Sequence, residues 1–95
     1  MDVLIHEFTA AARDEDGHVY TARVFGRGRK GGTWVGWLEF TPRGTGVVVR
    51  RSPIETTQPS RDALVYWATG LEPVYLEGAL ARAIAAARSR TASSK

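Results

Sequence analysis

Arg27, Arg29 and Lys30 crowd a glycine-rich segment at residues 26–32, with Arg23 behind them and Phe25, Val35 and Trp37 on the flanking residues. Guanidinium groups beside aromatic rings can bind single-stranded nucleic acid, with the charge on phosphate and the ring stacked on a base. The same residues can also pair with each other as cation–π contacts that only tidy a solvent face. A phosphate loop is excluded. That motif needs Ser or Thr after the lysine and a helix to follow, whereas Gly31 follows Lys30 and a strand comes next.

Other chemistry is sparse. His6 and His18 are the only imidazoles, and the expected pairing puts His6 near Gly26 and His18 near Asp14, at opposite ends of a hairpin. They cannot share a metal ion within one chain. There is no cysteine, which removes disulfides, zinc ribbons, iron–sulfur clusters and thiol nucleophiles. No metal and no cofactor are expected. Residues 55–62 are rich in hydrogen-bonding side chains: Glu55, Thr56, Thr57, Gln58 and Asp62. Tyr66 and Tyr75 are placed to add hydroxyls and make a small polar cleft. Loops that carry function have this composition, and so do loops that cap a helix. No nucleophile–base pair is evident, so binding is favoured over catalysis.

Charge is uneven along the chain. The net charge is +3. Between residues 23 and 51, however, Arg23, Arg27, Arg29, Lys30, Arg43, Arg50 and Arg51 stand against Glu39 alone, a local +6. Asp2, Glu7, Asp14, Glu15 and Asp16 against Arg13 leave the first 22 residues at −4. Such asymmetry suits either an anion-binding surface or a solvated sheet face balanced by acidic neighbours.

The elements that position these residues follow from periodicity. Ninety-five residues make one domain, here taken as 1–90 with a disordered polar tail at 91–95. A first strand over Val3–Arg13 alternates Leu4, His6, Phe8, Ala10 and Ala12 onto one face. A three-residue loop ending in a left-handed Gly17 then pairs Ala10 with Ala22 and Phe8 with Val24. With Gly28–Gly32 as the second loop, Tyr20, Ala22 and Val24 join Leu38 and Phe40 inside, and Arg23 falls opposite Trp37. Val3, Ile5, Phe25, Val35 and Trp37 fall outside, an apolar patch suited to a partner. Val47–Val49 reads as a fourth, edge strand, and residues 52–59 as a loop. Ser60 caps a first helix that ends at Gly70, and Pro73 starts a second. The fold expected is α+β, an antiparallel four-stranded meander with two helices on one face.

Residues 32–40 (GTWVGWLEF) and 55–80 (ETTQPSRDALVYWATGLEPVYLEGAL) resemble a group of small bacterial proteins of unknown function. The resemblance implies a bacterial source and carries over no site residue. The reading is therefore a binding domain acting through the open sheet face and the basic hairpin. Its partner is a protein or a second copy, a homodimer, with Phe25, Val35 and Trp37 as anchors beside Arg23. The alternative is nucleic acid on Arg23, Arg27, Arg29, Lys30, Arg50 and Arg51, with Trp37 as stacking platform. No signal-like N-terminus and no bilayer-length apolar run occur, so a cytoplasmic location and no membrane contact are expected.

Overall fold

The computed structural model describes residues 1–44 and 48–93. Strands β1 (Val3–Arg13), β2 (Val19–Gly28), β3 (Trp34–Pro42), β4 (Arg50–Arg51) and β5 (Thr56–Gln58) precede helices α1 (Arg61–Thr69) and α2 (Pro73–Ser93). All pairings are antiparallel, in the order β1-β2-β3-β4, which is the α+β meander expected. β5 is an addition. It pairs with Trp34–Gly36, while β4 pairs with Glu39–Phe40, so the two short strands share the edge of β3 that β2 leaves open. Among the described residues no helix is long and apolar enough to cross a membrane.

Ser52 joins β4 to β5. Its N–H donates to the Leu38 carbonyl at 2.9 Å, and its Oγ accepts the Leu38 N–H at 2.9 Å and donates to the Pro53 carbonyl at 2.8 Å. The hydroxyl thus supplies an acceptor for a buried backbone donor where Pro53 interrupts the ladder. Val48 and Val49, expected in the fourth strand, are exposed and lie before β4. Val47 lies outside the described residues.

The first hairpin turns as expected, with Gly17 at φ 84° and Ala12 opposite Tyr20. The register then shifts twice along β1, giving Glu7 opposite Arg23, His6 opposite Val24 and Leu4 opposite Phe25. The one-residue shift between Leu4 and His6 reverses the inside–outside alternation, whereas the two-residue shift between Glu7 and Ala11 leaves Phe8 and Ala12 on the same face. Leu4, expected inside, is 49% exposed, and Ala10 is exposed too. Ile5, expected outside, packs against the core.

The second hairpin is displaced by two residues from expectation. Gly28 pairs with Trp34, and the turn is Arg29–Thr33, closed by Arg29 N–H to the Thr33 carbonyl at 2.7 Å. Gly31 and Gly32 take φ near 90° in the turn, a conformation glycine adopts without steric cost. Gly28 stays in the strand because the Trp34 ring lies over it, 3.2 Å from where a Cβ would sit. A slide of two preserves the faces but changes the partners. Arg23 meets Glu39, Phe25 meets Trp37 and Thr21 meets Thr41.

The core lies between the sheet and the helices. Phe8, Ala12, Tyr20, Ala22, Val24, Leu38 and Phe40 meet Ala68, Leu76, Ala79, Leu80 and Ala83. Ser60 Oγ accepts the Ala63 N–H at 3.1 Å and caps α1. Leu64, fully buried, sits over the opposed pair Gly26 and Gly36. A Cβ on Gly26 would lie 2.5 Å from Leu64 Cδ2, and one on Gly36 2.6 Å from Leu64 Cδ1. α2 continues through Ser93, so Thr91–Ser93, expected in the polar tail, belong to the helix, and residues 94–95 lie outside the described residues.

Because Leu64 fills the space two missing side chains leave, their costs are coupled. Gly36→Ala is expected to destabilise by about 1–3 kcal/mol through overpacking, and Leu64→Ala by about 2–5 kcal/mol. In urea denaturation the double variant should lose clearly less than the sum. Additive losses would show that Leu64 and Gly36 do not share that space.

Candidate functional site

The outer sheet face covers itself. Val35 and Trp37 are each 1% exposed. The guanidinium carbons of Arg51 and Arg27 lie 4.5 and 5.2 Å from the Trp37 ring centroid. Trp37 Nε1 donates to Glu39 at 3.2 Å. Asp2 accepts from Arg27 Nε at 2.9 Å and lies 3.7 Å from Arg51, and the Arg27 hydrogen bond holds its carboxyl below the usual range. Arg23 donates to Glu7 at 2.7 Å and to Thr41 at 2.9 Å. Val35 and Trp37 are therefore not the exposed anchors, or the stacking platform, expected from the alternation. The guanidinium groups of Arg27 and Arg51, held by Asp2, close over the Trp37 ring. Phe25, opposite Trp37 and Leu4, is half-buried.

The basic patch is divided as well. Arg51 pairs opposite Glu39 and belongs to the outer face, whereas Arg50 pairs opposite the core residue Phe40 and belongs to the inner one. Arg43 donates to Thr21 Oγ1 at 3.1 Å. Arg29 and Lys30 are exposed at the hairpin turn and have no side-chain partner among the described residues. Arg61 lies 5.7 Å from the ring of Trp34, which makes Trp34 the indole nearest that end.

The polar loop is a clasp between β5 and α2. The Glu55 carboxylate, 6% exposed, accepts from Tyr75 Oη at 2.6 Å and from Arg82 Nη2 and Nε at 2.6 and 3.1 Å. Burial raises its pKa, but the hydrogen bonds from Arg82 and Tyr75 outweigh that and leave it lowered. Burial and donation to Glu55 push the Tyr75 hydroxyl up to about 12. Thr56 Oγ1 accepts from Gln58 at 2.6 Å. Thr57 pairs opposite Val35 as part of β5. Asp62 and Tyr66 are exposed on α1, Tyr66 at 84%, and neither joins the Glu55 cluster.

Chemistry converges instead where the first hairpin faces β4 and α2. Asp14 Oδ1 accepts the N–H groups of Asp16 and His18, each at 2.9 Å. Its Oδ2 accepts from Tyr20 Oη at 2.9 Å and lies 3.0 Å from His18 Nδ1. Partial burial works to raise the Asp14 carboxyl, but the hydrogen bonds from Tyr20 and His18 prevail and hold it at about 2. Donor atoms of Asp14, Asp16 and His18 lie within 4.8 Å of one another, a spacing a cation could bridge. Four donors already occupy the Asp14 oxygens, so the cluster is built as a turn brace. Burial and the bond to Asp14 raise the Tyr20 hydroxyl, while Arg50 beside it acts in the opposite direction.

Arg50 faces a cleft of about 660 Å³. Arg13, Asp14, His18 and Tyr20 form one wall, Val48 and Arg50 a second, and Glu77, Leu80, Ala81, Ile84, Ala85 and Arg88 of α2 a third. Arg50 Nε is buried and has no hydrogen-bond partner among the described residues. Sequence reasoning placed Arg50 in an outward patch and missed this cleft. The available signal was the parity of β4, in which adjacent arginines must point to opposite faces. No family model, curated protein or solved structure matches the chain.

The lowered Asp14 carboxyl has a pH signature. Its folded value lies below the ordinary 3.8, so its contribution to stability is complete above that value and is lost as pH falls towards 2. Thermal unfolding of Asp14→Asn should therefore lose part of the wild-type acid limb between pH 4 and 2. An identical acid limb in the variant would remove Asp14 as its source.

Proposed function

We propose that the chain is a small binding domain that holds an organic molecule in the cleft between the first hairpin, β4 and α2. The observation that supports this is the cleft itself, about 660 Å³ with Arg50 and His18 on one side and the apolar Leu80 and Ile84 of α2 on the other, within the size range of ligand sites, about 300–1,000 Å³. The reading is tested by amide chemical shifts on adding mixtures from a small-fragment library. Shifts at His18, Tyr20, Leu80 and Ile84 are expected, and Ala81→Trp, on the exposed side of α2, should abolish them while leaving the fold intact. Fragments that shift only other amides, or that bind Ala81→Trp equally well, would overturn it.

The hairpin turn supports a second reading, association with single-stranded nucleic acid. Arg29 and Lys30 carry charge without a counter-ion among the described residues, close to the pair formed by Arg61 and Trp34. The stripe is shorter than the sequence suggests because Arg23, Arg27 and Arg51 are neutralised within the chain. Two or three phosphate contacts predict weak binding with a shallow salt slope. Arg29→Glu with Lys30→Glu should eliminate binding to a mixed oligonucleotide, and binding that survives the reversal would remove this reading. A protein partner or a second copy on the outer face is left with Leu4 and Phe25 as apolar contacts, little against the ~1,600 Å² of a usual interface.

A further inference from the structure

Resting on the cleft reading, we infer that its ligand is a primary ammonium with a short aliphatic chain, its head on the free ring nitrogen of His18 and the Asp16 carboxylate and its chain along α2. The acceptors decide the head. Asp14 Oδ2 lies 3.0 Å from His18 Nδ1, and a carboxylate only accepts, so Nδ1 carries the ring hydrogen. His18 Nε2 is then a lone-pair acceptor, on a side chain that is 46% exposed and lines the cleft. The Asp16 carboxylate lines the same wall and has no side-chain partner among the described residues. A ring nitrogen of His18 and a carboxylate oxygen of Asp16 lie within 4.8 Å of each other, so the two groups are close enough to share one ammonium. Two acceptors at ~2.8–2.9 Å along tetrahedral N–H bonds stand about 4.7 Å apart. A metal ion would need Asp14 as a third ligand, and that carboxylate is filled by Tyr20, the His18 ring and two backbone N–H groups.

Charge on the cleft walls favours a cation over an anion. Four acids and three arginines line the space, a balance of −1 among the described residues. One member of each set is engaged within the fold. Tyr20 donates to Asp14 at 2.9 Å, and the Arg50 guanidinium acts on the same Tyr20 hydroxyl. Glu15, Asp16 and Glu77 are then set against Arg13 and Arg88. One ammonium brings the lining to neutrality, whereas a carboxylate or phosphate would deepen its excess. The helix wall supplies the other half of the specificity. Leu80, Ala81, Ile84 and Ala85 occupy two adjacent rows on α2 and give the cleft an apolar side. From Leu80 to Ala85 the helix rises ~7.5 Å, the reach of a chain of about six carbons. Val48, just before β4, adds an exposed apolar side chain to the lining.

The test is a set of titrations of the full chain in mildly alkaline buffer, where imidazole is neutral and an alkylamine still carries its charge. They are followed by amide shifts and by the ring-nitrogen shifts of His18. The probes are hexylamine, hexanol, sodium hexanoate and zinc chloride. Hexylamine is expected to move the His18 Nε2 signal and the Leu80 and Ile84 amides saturably. Hexanol and hexanoate should each bind at least tenfold more weakly. Asp16→Asn alters an exposed side chain that bonds to no described residue, and should weaken hexylamine at least threefold while leaving hexanol unchanged. Hexanol or hexanoate binding as well as hexylamine would overturn the ammonium assignment while leaving an occupied cleft. So would hexylamine that leaves His18 Nε2 unmoved, or that binds Asp16→Asn with full affinity. Zinc that moves the His18 ring signals where hexylamine does not would assign the cluster to a metal ion instead. If the fragment mixtures and all four probes leave the cleft amides unmoved, the cleft reading itself falls with the inference.

Discussion

Leu64 can enter the plane of side chains above the sheet because Gly26 and Gly36 stand opposite each other on β2 and β3 with nothing between them. That contact fixes how closely α1 approaches the sheet, and the rest of the helical layer follows from it. Ala68 comes into the core one turn later, Gly70 ends the helix, and Pro73 starts α2 after a short connection. α2 then crosses the inner face, presenting Leu76, Ala79, Leu80 and Ala83. At the hairpin end the sheet carries Tyr20 and Arg50 where the other end carries glycines. Tyr20 is buried in the core there, and the cleft opens beside it, between Arg50 on the sheet and Leu80 and Ile84 of α2. A β-methyl at either glycine would lift the layer that defines both the core and the cleft.

The outer face shows how magnitudes sort the charges. Exposed ion pairs are worth about 0.2–1 kcal/mol each, so the pairs among Asp2, Glu7, Glu39, Arg23, Arg27 and Arg51 contribute little as Coulomb attraction. What they accomplish is coverage. Two guanidinium groups lie on the indole of Trp37, and a desolvated cation–π contact adds up to about 2 kcal/mol. Removing the indole from water adds more than any of the ion pairs. The cationic stretch of the sequence is in large part the wrapping of a buried tryptophan. That leaves Arg29 and Lys30 as the cations of the second hairpin without a partner among the described residues.

Much of the fold was legible in the sequence, because its signals were strong. Alternation placed Tyr20, Ala22, Val24, Leu38 and Phe40 inside. Gly17 marked the first turn, Ser60 the cap and Pro73 the start of α2. What was hidden has physical reasons. Leu4 and Ile5 are both apolar, so nothing in their types reveals a bulge. Two registers of the second hairpin bury the same residues, and what separates them is pairing: Trp34 on Gly28, and Gly26 opposite Gly36 beneath Leu64. Thr56, Thr57 and Gln58 lack the apolar alternation that announces a strand. The covering of Trp37 depends on Asp2 and Arg51, both far from it in sequence. The cleft was the least legible feature, since it depends on which face Arg50 takes, and a two-residue strand carries no pattern of its own.

The seating of Leu64 over Gly26 and Gly36 is the contact on which the helical layer depends. The measurement that tests this most directly is a high-resolution crystal structure of Gly36→Ala. Leu64 is expected to be displaced and α1 lifted from the sheet at that point. A variant in which Leu64 and α1 keep their places would contradict it.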